Sequence, residues 1–191
     1  MLSGCTGLTS VDLTPLSQVT KVDSSFLYEC RSLTTIDLSP LSHLHVIMSS
    51  FLFGCSGLIS LDLSPLTGVT EVYAFFLLEC SGLTSIDLSP LSRLTVIYPS
   101  FLFGCSGLEA IDLHPLSNVI KVGIFFLHGC SGLYEIDLSP LSQVSEIDQT
   151  FLMGCSGLST IDLTPLALLR EVPANLGSGG RATILPPIHL S

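Results

Sequence analysis

Basic residues are scarce in this chain. Six Lys and Arg stand against sixteen Asp and Glu in 191 residues, for a net charge of −10. The six are scattered, at Lys21, Arg31, Arg93, Lys121, Arg170 and Arg181. Nucleic acid and anionic membrane surfaces both call for a clustered basic face, so neither is expected as a partner. A basic or neutral polar protein surface suits this charge better. Charge of either sign is low, at 12% of residues, where about a quarter is usual. With 47% hydrophobic residues, that balance argues against disorder. Yet no apolar run approaches the ~18 residues of a membrane span. The longest, Val72 to Leu78, ends at Glu79, so no membrane insertion by this segment is expected. The opening Met-Leu-Ser-Gly-Cys has neither the basic n-region nor the apolar h-region of a signal peptide.

No Cys-x-x-Cys pair is present. The cysteines are Cys5, Cys30, Cys55, Cys80, Cys105, Cys130 and Cys155, an odd number at a spacing of 25. A column of buried free thiols is expected, rather than a disulfide framework or a zinc site. Stacked strands place like atoms ~4.8 Å apart. Bridging between layers is therefore within reach, but parallel side-chain directions oppose it. No metal and no cofactor are expected.

What the chain does have is a repeat. Leu-Thr-Ser-Ile-Asp-Leu-Ser-Pro-Leu begins at Leu83, and near copies begin at Leu8, Leu33, Leu58, Leu108, Leu133 and Leu158. A fixed period of this length marks a solenoid. Ile86 and Leu88 are two apart and share one face of an extended chain, while Asp87 takes the other. Pro90 ends the strand because it has no N–H to donate. Connections of constant length require the copies to stack in parallel. The spacing Leu-x-x-Ile-x-Leu is that of leucine-rich repeats. The expected fold is an α/β leucine-rich repeat solenoid of about seven repeats. It would carry one parallel sheet on its concave side and short turn or 3₁₀ segments behind it.

The rest of each repeat is compact. In the copy from Leu33 to Gly57, Leu44 and Ile47 follow Leu41 at steps of three, which suits a tight connector. Phe51 to Cys55 spans one helical turn at most. Gly57 is expected in a left-handed or tight turn, a soft demand because Ser32 holds the same place once. Phe26, Phe51, Phe76, Phe101, Phe126 and Phe151 should stack as an aromatic spine. A second period of 50 overlies the first: 46–55 resembles 96–105, and 72–77 resembles 122–127.

The solenoid is expected over 1–172, with a divergent tail over 173–191. That tail is expected to be flexible for about eight residues around its glycines, then extended, as a poor cap or as unrelated sequence. Met1 and Leu2 fall where Phe26 and Leu27 fall one period later. A start inside a repeat, without a polar cap, points to a fragment or to a reading frame begun at an internal Met. Uncapped ends are expected to favour self-association.

The stretch Phe-Leu-x-Gly-Cys-Ser-Gly-Leu-x-x-Ile-Asp-Leu-Ser-Pro-Leu-Ser-x-Val-x-x-Val resembles the BspA-like leucine-rich repeats, over about residues 1–172. The strict Asp and the Leu-Ser after Pro depart from that pattern. The resemblance implies a cell-surface or extracellular protein linked to adhesion, and no catalytic residues.

Two groups of residues are candidates for function. The column Asp12, Asp37, Asp62, Asp87, Asp112, Asp137 and Asp162 recurs in every repeat. It either holds the strand-to-turn corner or forms a face for a basic partner or a cation. Calcium fits poorly, since one carboxylate per layer supplies few of the 6–8 oxygens it takes. The flanking strand-face positions vary, among them Thr34, Thr35, Ile59, Ala110 and Ser159. Variation on a regular scaffold is where a solenoid carries specificity. Glu109, Asp112, Tyr134, Glu135 and Asp137 form the richest patch and are the predicted ligand-binding residues. His43, His45 and His114 are expected as surface residues without a metal or general-base role. The leading expectation is a non-catalytic recognition or adhesion module of a surface protein. The alternatives are an intracellular scaffold that docks a protein partner and the product of a degenerate gene fragment.

Overall fold

The computed structural model describes residues 2–174, 176 and 182–187. Met1 and the glycines of the tail (Gly177, Gly179 and Gly180) lie outside these, as does the flexibility expected there. Each repeat is built in four steps. First, an extended stretch such as 83–88 buries Leu83, Ile86 and Leu88 and exposes Thr84, Ser85 and Asp87. Second, the Asp87 carboxylate accepts the N–H of Ser89 at 2.8 Å. A 3₁₀ turn, Ser89–Leu91, opens there with Pro90 in its first positions. Proline suits that place because the first N–H groups of a helical turn have no partner. Equivalent 3₁₀ turns are Thr14–Leu16, Ser39–Leu41, Ser64–Leu66, His114–Leu116 and Ser139–Leu141.

Third comes a short strand. β1 (Val46–Ile47) pairs in parallel with β2 (Glu71–Val72), and β3 (Val96–Ile97) with β4 (Lys121–Val122), each one period apart. β5 (Thr160–Asp162) pairs in parallel with β6 (Thr183–Leu185). The extended end of the tail therefore joins the last repeat, and Ala182 and Ile184 pack against its core.

The strands are all parallel; β1–β2 and β3–β4 are in register by one whole repeat, and β5–β6 by 23 residues. Their place differs from expectation, and they form three two-stranded sheets rather than one. Only β5 lies on a Leu-x-x-Ile-Asp-Leu stretch. Elsewhere that stretch makes single long contacts between layers, such as Glu109 N–H to the Thr84 carbonyl at 3.3 Å. The same bond, Thr164 N–H to Asp162 at 2.8 Å, closes β5, so the Asp marks where the stretch turns and not whether it pairs; β5 pairs because the tail supplies β6 as its partner.

Fourth, residues 50–54 alternate in hand. Ser50, Leu52 and Gly54 have φ of 62°, 55° and 68°. Successive positive-φ residues donate to opposite neighbours. Ser50 N–H reaches the Ala74 carbonyl at 2.9 Å, Leu52 N–H the Phe26 carbonyl at 2.9 Å, and Gly54 N–H the Leu78 carbonyl at 2.6 Å. The same bonds run from Leu77 to Phe51, Leu102 to Phe76, Leu127 to Phe101 and Leu152 to Phe126, at 3.0–3.1 Å. A left-handed non-glycine residue costs roughly 1–2 kcal/mol. Here it turns buried N–H groups toward carbonyls they would otherwise miss. This alternating segment, in place of a helical turn, forms the continuous backbone ladder of the solenoid.

Between these segments lies one core of stacked columns. The six Phe rings form the expected spine, all buried and stacked. Their centroid spacing alternates. It is 6.2 Å within the β1–β2 and β3–β4 layer pairs, for Phe51–Phe76 and Phe101–Phe126. It is 5.2–5.4 Å for the other three steps. The 50-residue period is thus visible in the structure: the two-residue strands pair inside it and rings close up between units, although a single parallel bridge also joins Lys21 to Val46 before the first unit. Gly57 lies in the expected tight turn, closed by the Leu58 N–H on the Cys55 carbonyl at 3.1 Å. Its φ is not positive. A Cβ there would lie 2.4 Å from the Arg31 carbonyl oxygen, so close layer approach, not turn geometry, requires glycine.

Candidate recognition face

Every Asp of the column has the same local geometry. Its Oδ1 accepts the N–H two residues on, from Thr14, Ser39, Ser64, Ser89, His114, Ser139 or Thr164, at 2.8–2.9 Å. The hydroxyl of Ser39 and then its backbone N–H hold the Asp37 carboxyl below its ordinary range. Asp12, Asp87 and Asp137 are lowered in the same way by Thr14, Ser89 and Ser139. These bonds favour the ionised form, so a run of carboxylates persists on an exposed face.

Glu109, Asp112, Tyr134, Glu135 and Asp137 all lie on this face, on two adjacent layers, and all are exposed. Tyr134 N–H donates to the Glu109 carbonyl at 3.3 Å, which fixes the register of the two layers. The Tyr134 ring stands out with 57% of its surface exposed. A shallow groove of about 340 Å³ runs between Ala110 and Ile111 on one layer and Glu135, Ile136 and Asp137 on the next. Thr34, Thr35, Ile59 and Ser159 occupy the same exposed strand-face positions.

His114 belongs to this patch and was not among its predicted members. Its Nδ1 lies 2.7 Å from Asp112 Oδ1. Its backbone N–H, then its side chain, lower the Asp112 carboxyl, and its charge also acts on Asp137. The sequence carries a signal for this. His114 stands where every other repeat has Ser or Thr. His43 and His45 are exposed on the connector, away from the Asp corner.

The seven cysteines are unpaired, and all but Cys5 are buried. Each buried thiol donates to a leucine carbonyl one layer back, as Cys55 Sγ to Leu27 and Cys105 Sγ to Leu77, both at 3.1 Å. Burial pushes the Cys55 thiol up to about 12 and the Cys155 thiol to about 11. These thiols are structural donors, not nucleophiles. Among the described residues, no group of three or more His, Cys, Asp or Glu is placed to hold a metal ion. No helix there is long and apolar enough to cross a membrane.

Comparison with known proteins agrees with this architecture. A family model described as "BspA type Leucine rich repeat region" matches in six copies, over residues 1–89 and 68–170. No curated protein matches the chain. Among solved structures, the functional domain of InlJ from Listeria monocytogenes, which includes a cysteine ladder, is similar at 20% identity with a TM-score of 0.45. That similarity covers 93% of this chain and 47% of that one. A leucine-rich repeat protein from Bacteroides ovatus is similar at 16% identity and a TM-score of 0.38, over 87% of this chain and 57% of that one. The chain thus spans about half the length of these two proteins.

Proposed function

We propose that this chain, which belongs to the BspA-type leucine-rich repeat family, is a non-catalytic protein-recognition module of a cell-surface adhesion protein. The observation that carries the reading is the patch of Glu109, Asp112, Tyr134, Glu135 and Asp137. A protruding aromatic ring stands among four carboxylates on a backbone linked by Tyr134 N–H to the Glu109 carbonyl and by Glu109 N–H to the Thr84 carbonyl. An exposed Tyr rimmed by charge is the composition of a binding hot spot. Four carboxylates select a partner with basic or polar groups at the matching positions. The family supports the surface location; BspA-type repeats are linked to adhesion by resemblance. The unpaired thiols favour the second reading, an intracellular scaffold, because reducing compartments keep cysteines free.

Two experiments test the proposal. Intact source cells are treated with a membrane-impermeant biotin reagent, and peptides of this chain are sought in the labelled fraction. Recovery there is expected; recovery only after lysis turns the reading to the scaffold. Proteins cross-linked to the chain are then compared between wild type and Glu109→Lys/Glu135→Lys. A partner captured equally by both does not use this face.

A further inference from the structure

The column that follows β1 to β4 reads Met48, Tyr73, Tyr98 and Gly123, with Asp148 one period on. Tyr73 and Tyr98 stack, with ring centroids 4.9 Å apart. At Gly123 the column loses its side chain. A Cβ there would sit 2.6 Å from the Pro99 nitrogen and 2.8 Å from the Tyr98 carbonyl carbon, so the chain excludes a ring of its own at this layer. An apolar recess of about 480 Å³ opens beside the contact. Its walls include Tyr98, Pro99, Val122, Gly123 and Ile124, and Lys121 lies on its edge. Ile124 exposes 46% of its surface here, although it is a large aliphatic residue. Lys121 makes no ion pair among the described residues. Glu146, the next residue of its column, reaches Arg170 at 4.0 Å instead.

We propose that this recess docks an aromatic side chain with a carboxylate beside it, presented by a protein partner. The ring lies on Tyr98 as the next step of the Tyr73–Tyr98 stack, and the carboxylate faces Lys121. Stacked rings continue a ladder that the protein has already begun, and the Lys121 ammonium gives the recess a positive charge on a chain where acidic residues outnumber basic ones. A sugar fits less well, because walls of Val, Ile and Pro offer its hydroxyls few partners. The site does not rest on the Glu109–Asp137 face. It asks for an acidic neighbour where that face asks for a basic one.

The test uses the full chain, ¹⁵N-labelled, titrated with 3-phenylpropionate at millimolar concentrations. Amide shifts confined to Ile97, Tyr98 and 121–124 are expected. Lys121→Glu, an exposed change that leaves the core untouched, should weaken 3-phenylpropionate by about threefold, the scale of an exposed ion pair, and should favour phenethylamine. Tyr98→Leu should abolish both. Equal binding of 3-cyclohexylpropionate would overturn stacking as the basis of recognition. Shifts at the same amides with methyl mannoside but not with 3-phenylpropionate would overturn the protein partner. Shifts that are absent or spread over the chain would sink the site altogether.

Discussion

The Cys80 thiol lies 3.1 Å from the Leu52 carbonyl oxygen one repeat earlier, and that oxygen also accepts the Cys55 N–H at 3.3 Å. Leu52 has a φ of 55°, and its left-handed backbone is what aims the carbonyl at the next layer. The cysteine column is therefore a series of bonds between layers, each shared with a turn inside one layer. Cys80→Ala removes the weak donor and opens a small cavity, while Leu52 keeps its second partner. The expected loss is about 1–2 kcal/mol, read as a lower urea midpoint. Cys80→Leu overpacks the layer and should cost about 1–3 kcal/mol. A midpoint unchanged by either variant would show that the column carries no stability.

Thiol reactivity follows the same geometry. In the native chain one fast-reacting thiol is expected with a disulfide reagent, from half-buried Cys5; the other six should react only on unfolding. The buried thiols also set an alkaline limit. Their folded pKa is raised, so the stability they contribute is complete below the ordinary value of 9.0 and is lost as pH climbs toward about 12 for Cys55. Unfolding midpoints measured from pH 8 to 11 should fall above 9, and Cys55→Ala should flatten that fall.

The period, the phenylalanine spine, the buried thiols and the parallel stacking were all legible in the sequence, because each is a one-dimensional pattern of side-chain type. The strand position was not. Asp87 and Ser89 read as a strand end, and the 2.8 Å bond between them does turn the chain there, but the stretch before that corner pairs as a strand only in the last repeat, where β6 lies beside it. The alternating hand at Ser50, Leu52 and Gly54 was hidden for a related reason. Only one of the three is glycine, and Ser and Leu give no sign of a left-handed backbone. In the candidate face, the exposed carboxylates and Tyr134 were readable from their alternation. His114 was readable only as the departure from Ser or Thr in its column; the 2.7 Å contact with Asp112 that gives it a role lies within a local turn.

Glycine positions separate the two backbone demands. Gly57→Ala puts a Cβ against the Arg31 carbonyl and should destabilise by about 1–3 kcal/mol through overpacking. Glu79 occupies the place of Gly54 and Gly104 with a φ of 57°. Glu79→Gly relieves a left-handed side chain worth roughly 1 kcal/mol. The offset is the extra freedom of glycine in the unfolded chain. Its unfolding midpoint should stay level or rise; a fall as large as that of Gly57→Ala would contradict the left-handed ladder.

Acid should loosen the corner turns. The Asp37, Asp87 and Asp137 carboxyls are lowered from 3.8 by the bonds they accept. Their contribution is therefore present above 3.8 and is lost as pH falls through the lower folded values. Midpoints should hold down to pH 4 and drop below it. Asp37→Asn keeps the acceptor oxygen without a titrating proton, so its curve should drop less steeply over the same range.

The two-repeat unit makes a prediction about motion. Thr70 and Tyr73 N–H groups reach His45 and Ile47 at 2.9 Å, and Ile120 and Gly123 reach Thr95 and Ile97 at 2.9 and 2.8 Å. Between units, no such bond joins 95–98 to 70–73 among the described residues, although the sequence there is equally apolar. The ladder through Leu52, Leu77, Leu102 and Leu127 crosses every layer without a break. The solenoid should therefore open along one side between the 70–73 and 95–98 layers, hinged on the left-handed ladder. In native-state hydrogen exchange the amides of Thr95 and Tyr98 should exchange much faster than those of Thr70, Tyr73, Ile120 and Gly123, and the leucine ladder should be the slowest class throughout. Uniform protection of Tyr73 and Tyr98 would mean that the layers close equally in solution. The alternating Phe spacing would then reflect side-chain packing alone.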